Sequence, residues 1–225
     1  MYLNPTPEYK HISDWIVTLI GKKITPRSLA NRLSKHLTQR HQVRVKLYFD
    51  KSILDLGDFT IGAEYDSELD CQGKKQFIIN LIINHPKHMP IDITGEFADT
   101  FTLELVEALV HEYQHQYQYR SRGHIPSRGY TSQHKDNNIK EDQEYLGQTD
   151  EIDAYAANIA ARFYIIKKLN NNDEVKSLDL LKYYRTFGPA HPVVKRLLKK
   201  ITTNTYILQE NERVKKYRKY LKRSR

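Results

Sequence analysis

Between residues 29 and 49 the hydrophobic pattern changes period. Leu29, Leu33 and Leu37 recur every four residues, which stacks them on one face of a helix. Val43, Val45, Leu47 and Phe49 then alternate with polar residues, the pattern of a strand with one buried face. A chain that makes this switch builds its core from both element types. Thr25-Pro26 marks the helix start, with threonine as N-cap and proline at the first helical position, and the helix is expected to reach about Arg40. Upstream, Trp15, Ile16, Leu19 and Ile20 give Ser13–Gly21 a short amphipathic pattern. Downstream, Asp58–Tyr65 and the most apolar run, Gln76–Asn84 (QFIINLIIN), are two further strand candidates. Gly57 and Asp70–Gly73 supply turns between them, and Pro86 and Pro90 close the strand region.

The rest of the chain reads as helical. Asp99 is expected to cap a long helix running to about Tyr119, with Leu105, Val106, Leu109 and Val110 on its apolar face. Residues Arg120–Gln148 are polar and carry Gly123, Pro126, Gly129 and Gly147, which predicts a long loop of the kind that often serves function. Thr149 or Asp150 can cap the next helix, from Glu151 to about Leu169, before the break at Asn170–Asp173. Leu178–Phe187, Pro192–Thr202 and Tyr206 to near Lys222 complete the helices. The order predicts an α+β fold.

At 225 residues, the chain suits one domain with a small appendage. The net charge of +9 is unevenly spread. Residues 195–225 hold 12 Lys/Arg and 2 acidic residues, against 24 and 25 in the remainder. The expected division is therefore a domain over 1–194 and a basic helical extension over 195–225. That extension, ending ERVKKYRKYLKRSR with Tyr217 and Tyr220 among the cations, suits weak contact with nucleic-acid phosphates or an acidic partner. A solubilising helix end is the plainer reading. No apolar run approaches the ~20 residues that span a bilayer, so no membrane association is expected. Cys71 is alone and the N-terminus lacks a signal pattern, so the expected location is cytoplasmic; the cytoplasm of an infected host, or a virion, is the variant of that expectation.

The chemistry concentrates in His111-Glu112-Tyr113-Gln114-His115. On a helix, positions i and i+4 share a face, so both imidazoles can reach one metal ion at ~2.0–2.1 Å. Glu112 lies about 100° around the helix and can reach a metal-bound water instead. Zinc lowers the pKa of such water toward ~7, and a carboxylate takes its proton. The motif thus encodes two ligands and a general base for one Zn2+ ion. A third ligand must come from elsewhere. The HExxHxxGxxH arrangement is excluded by Gln118 and Ser121. Glu144, Asp150, Glu151, Asp153, His124 and His134 remain. Glu151 is favoured because Ala154, Ala157 and Ala161 on its helix permit close packing. Tyr155, one turn after Glu151, is the first candidate for stabilising an oxyanion, with Tyr130, His134 and His191 behind it. Asp153 is a candidate to orient a ligand histidine. Within YQHQYQY, Tyr113 and Tyr117 read as core-facing, and Gln114, Gln116 and Gln118 as solvated or cleft-lining.

HEYQH followed by EIDAYAANIA resembles the gluzincin branch of the zincin metallopeptidases. Its E-x-x-A start is similar to the ImmA/IrrE-like peptidases and to small zincin-like proteins of tailed bacteriophages. The resemblance covers about Leu105 to Phe163. It implies Glu151 as third ligand, a protein or peptide substrate, and a small zincin-like fold. In that fold an antiparallel-type sheet of three or more strands packs on the HExxH helix and an edge strand holds extended substrate; QFIINLIIN is expected near that edge. Many gluzincins carry aspartate four residues after the ligand glutamate. Tyr155 occupies that position here, a departure from the thermolysin-type pattern. The expected activity is zinc-dependent peptide-bond hydrolysis with Glu112 as base. The competing expectation is a catalytically silent zincin-like protein with a structural or regulatory role, for example in a phage particle.

Overall fold

A computed structural model describes residues 5–50, 58–168 and 177–223, with side chains described as far as Asn211. The chain divides into two compact units, Met1–Ile125 and Pro126–Arg225. The architecture is α+β, as the change of period requires.

The N-terminal unit contains helix α1 (Pro5–Val17), strand β1 (Lys23–Ile24), helix α2 (Pro26–Thr38), strands β2 (Val43–Phe49) and β3 (Phe59–Tyr65), helix α3 (Ser67–Cys71), strands β4 (Phe77–Ile83) and β5 (Ile91–Asp92), and helix α4 (Gly95–Ser121). The Thr25 hydroxyl caps α2 by accepting from the Ser28 N–H at 3.3 Å. Leu29, Leu33 and Leu37 are fully buried, each contributing roughly 1.5–3 kcal/mol by leaving water. α2 packs on β2, α4 on β3, and α1 on α4.

The main sheet has the order β2-β4-β3. β3 pairs antiparallel with β4, from Phe59 opposite Ile83 to Tyr65 opposite Phe77. β2 pairs parallel with β4, from Val43 opposite Phe77 to Phe49 opposite Ile83. The sheet is therefore mixed, which corrects the antiparallel expectation for one of its two pairs. The apolar strand β4 is central and does not lie at the edge. Phe77, Ile78, Ile79, Leu81 and Ile83 are all buried, and a strand covered on both faces reads as a continuous apolar run. β2 and β3 are the edges of the three-stranded sheet. β1 and β5, too short to leave a periodic signal, form a separate antiparallel pair.

Several boundaries also differ from expectation. α4 starts at Gly95 because the Thr94 hydroxyl accepts from the Phe97 N–H at 3.1 Å, so Asp99 lies inside the helix and caps nothing. The turn expected at Asp70–Gly73 includes the end of α3, capped by the Asp66 carboxylate. Gly57 and Asn170–Asp173 lie outside the described residues.

The C-terminal unit contains helices α5 (Asn137–Leu146), α6 (Thr149–Lys168), α7 (Leu178–Phe187) and α8 (Pro192–Arg223). α5 occupies part of the segment read as loop. The Asp136 carboxylate caps it by accepting from the N–H groups of Asn138 and Ile139, and Leu146 is its one buried residue, too little to leave a stripe. α8 is one helix where two were expected. The polar run at its middle does not break it, and the hydroxyls of Thr202, Thr203 and Thr205 each donate to a carbonyl one turn back, at 2.9–3.0 Å. The expected boundary at 194/195 falls within this helix. The unit's core joins Ala156, Ile159 and Ala160 of α6 to Val194, Leu197 and Ile201 of α8 and to Tyr183 of α7. Alanine at 156 and 160 lets the α6 backbone lie close to its neighbours. Among the described residues, no helix is long and apolar enough to cross a membrane.

Candidate metal centre

α4 carries the HExxH residues through its third quarter. His111 and His115 stand one turn apart, with their Nε2 atoms 3.1 Å from each other and their rings at 72°. Two ligands at ~2.05 Å from a tetrahedral ion stand about 3.3 Å apart, so the pair is already spaced for one cation. The Nδ1 of His115 lies 3.2 Å from the Gln118 amide oxygen. An Nδ1–H donor there leaves the Nε2 lone pair for a metal. Gln118 is buried, as are Gln114 and Gln116, which corrects the solvated alternative in their reading. The signal for Gln118 was its i+3 spacing from His115, on the same helical face. Glu112 is also buried, at 5 % exposure.

Two buried carboxylates secure the motif helix within its unit. Glu8 of α1 accepts from Arg40 at 2.9 Å and bonds His41 Nε2 at 3.0 Å, and His41 Nδ1 bonds the Tyr113 hydroxyl at 2.7 Å. With the Tyr113 proton on Nδ1, the Nε2–H points at Glu8 and every group is satisfied. Burial and the Glu8 charge push the Tyr113 phenol up to about 12, which keeps it a donor. Burial alone would raise the Glu8 carboxyl, but the hydrogen bond from His41 and the charge of Arg40 outweigh it and hold Glu8 below its usual range. Further along α4, Asp70 receives two bonds from Arg120, at 2.8 and 2.6 Å. Tyr65 adds a third at 2.8 Å and Gln116 a fourth at 3.3 Å. Burial opposes ionisation of Asp70, yet these donors prevail and lower its pKa.

Glu151 lies in the first turn of α6 and is buried. The donor atoms of His111, His115 and Glu151 all lie within 4.8 Å of one another. Among the described residues no other set of three His, Cys, Asp or Glu side chains comes so close. The set of two imidazoles and one carboxylate suits zinc and several other divalent ions.

Several of the remaining candidates have other partners. Glu144 accepts from the Ser132 N–H. Asp153 pairs with Lys200 at 2.8 Å. His134 Nδ1 accepts from the Asp136 N–H, and His191 Nδ1 from the Val193 N–H at the start of α8. Tyr130 packs on Phe187. His124 has a positive φ of 66° beyond the end of α4, and Asp150 is buried beside Glu151. Tyr155 is half-buried, with its ring edge-on to Tyr183 at 5.4 Å.

Tyr145, which no motif marked, belongs with these residues. It sits in the last turn of α5, where Tyr155 and Glu151 act on its hydroxyl. Burial of the hydroxyl and the neighbouring Tyr155 and Glu151 hold its phenol above the ordinary range. A segment read as loop gave no reason to place this residue near Glu151.

No known protein family, curated protein or solved structure matches the chain.

Proposed function

We propose that this protein is a zinc-dependent peptidase of gluzincin type, similar to the ImmA/IrrE-like and small bacteriophage zincin-like proteins. His111, His115 and Glu151 hold the ion, and Glu112 is the general base. The observation that carries this reading is the convergence of two imidazoles and one carboxylate where one helix also bears a buried glutamate beside the first histidine. When bound, zinc activates a water and polarises the scissile carbonyl. Glu112 is the residue that would accept a proton from such a water and return it to the leaving amine. Its burial strengthens that exchange, because the carboxylate is poorly solvated. Gln118 holds the His115 ring in the tautomer that presents Nε2. Tyr155 supplies a hydroxyl near the developing oxyanion. The substrate is a protein or peptide.

Substituting Glu112→Gln keeps the shape of the side chain and removes the base. Zinc remains stoichiometric by elemental analysis, while turnover of an unfolded protein substrate falls about 10²–10⁴-fold. Undiminished turnover in this variant would overturn the assignment of Glu112, and a wild-type protein that holds no divalent metal would overturn the site.

A further inference from the structure

We propose that the solvent face of α2 is a docking surface for duplex DNA, held through its phosphates. This surface is independent of the zinc reading above.

The near-neutral balance of the body conceals a block of one sign. Residues 15–49 contain eight Lys/Arg and no Asp or Glu, whereas the rest of residues 1–194 contains 16 Lys/Arg and 25 acidic residues. The block folds as the end of α1 followed by β1, α2 and β2, all within the N-terminal unit. Helix α2 turns Leu29, Leu33 and Leu37 inward and stacks His36 on His11 and Trp15. Its other side carries Arg27, Asn31, Arg32, Lys35 and Thr38, all exposed. Two shallow concavities along that side are lined only by residues of 25–39, so no neighbouring element covers them.

Several other cations of the unit are matched by a carboxylate: Lys10 by Asp14, Lys23 by Asp92 and Arg120 by Asp70. Arg27, Arg32 and Lys35 have no carboxylate partner among the described residues; Arg32 Nε donates instead to Ser28 Oγ at 3.4 Å. Cations on an acid-free face set up a positive field that attracts a polyanion. The spacing favours a duplex. Arg27 and Lys35 stand eight residues apart, about 12 Å along the helix axis at 1.5 Å per residue, and the major groove of B-DNA is about 12 Å wide. A helix laid across that groove places Arg27 at one phosphate wall and Lys35 at the other, with Asn31 midway. The face carries no aromatic ring on which the bases of a single strand would stack. The deep, narrow major groove of double-stranded RNA does not admit a helix in this way.

The test measures binding of the full chain to a short labelled DNA duplex of mixed sequence, by fluorescence anisotropy over a range of salt concentrations. The variant Arg27→Gln/Arg32→Gln/Lys35→Gln keeps its melting temperature, because the three sites are exposed and glutamine matches arginine and lysine in helix propensity. Its affinity falls about tenfold or more, and its slope of log affinity against log salt becomes shallower by about 2–3, the loss of three phosphate contacts. A wild-type chain that does not bind the duplex overturns the proposal, as does an unchanged salt slope in the variant. Binding that survives in this variant and is lost when Arg213, Lys215 and Lys216 are changed to glutamine instead moves the site to the tail and overturns the role of α2. Tighter binding to double-stranded RNA, or to phosphatidylserine vesicles, than to the duplex overturns the choice of partner.

Discussion

Where the N-terminal unit buries Glu8 and Asp70 among arginine, histidine and tyrosine, the C-terminal unit closes its core with alanine, isoleucine, valine, leucine and the fully buried Tyr183. The two kinds of core respond to different insults. A core held by ionised groups depends on which protons are bound, since each lowered carboxyl pKa is free energy available only while the group is charged. A core held by shape depends on volume, since close-packed interiors tolerate neither voids nor excess methylenes. The helix bearing His111 and His115 adds the first kind to a buried apolar face of Phe101, Leu105, Val106 and Leu109, whereas the helix bearing Glu151 is packed within its unit chiefly by the second.

The largest expected effect tests the packed core. Tyr183 is fully buried, so Tyr183→Ala is expected to cost about 3–5 kcal/mol. Urea unfolding followed by amide exchange should show the lost protection in α6, α7 and α8. A cost below 1 kcal/mol would break the claim that shape dominates there. Next comes Asp70→Ala, which leaves Arg120, Tyr65 and Gln116 without their shared acceptor. A cost of about 2–3 kcal/mol is expected, with exchange rising in β3, α3 and the end of α4. Equal loss of protection in α6 would erase the contrast between the units.

The smallest effect is the most discriminating. His36 of α2 stacks between His11, at 4.2 Å, and Trp15, at 4.8 Å. Burial, with the charge of His11 and then of Arg40 and His41, lowers its pKa from 6.5 to about 4. Above pH 6.5 the ring is neutral in both folded and unfolded chains and pH has no leverage through it. Below pH 6.5 the unfolded chain takes up a proton that the folded chain refuses until about pH 4, so stability falls across that window. Glu8 acts in the same direction. Its folded pKa lies below the model-peptide value of 4.5, so its contribution is present above that value and is lost as pH falls further. Acidification from pH 7 to 4 should therefore raise amide exchange in α1 and α2 before it does so in α6 and α8, and His36→Phe should flatten the early part of that response. Simultaneous loosening of both units would contradict the comparison.

How much was legible in the sequence follows the same division. α2 and its cap could be read directly, because Thr25, Pro26 and three leucines are local signals that the structure uses unchanged. The pairing of His111 with His115 was equally local, since one helical turn sets it. The parallel alignment of β2 with β4 was not legible, because periodicity reports which face of a strand is buried and is silent on its neighbours. Long-range acceptors were also hidden. Nothing adjacent to Asp70 in sequence announces Arg120 fifty residues later. Tyr145 was missed for a related reason: α5 buries only Leu146 and so leaves no apolar stripe to reveal that it is a helix.

The strand order also governs how the chain can fold while it is being made. β2 and β3 emerge first, yet in the finished sheet they do not pair with each other; each pairs with β4. Neither can complete its ladder until residues 77–83 have been synthesised. That last strand, FIINLII, is uncharged and rich in isoleucine, the type of segment that self-associates when left exposed. Because it arrives after both partners, its two rows of backbone donors and acceptors are taken up from either side as soon as it appears. The interval in which another copy of the chain could pair with it is correspondingly short, and a circular permutant that synthesised β4 before β2 would lengthen that interval and aggregate more.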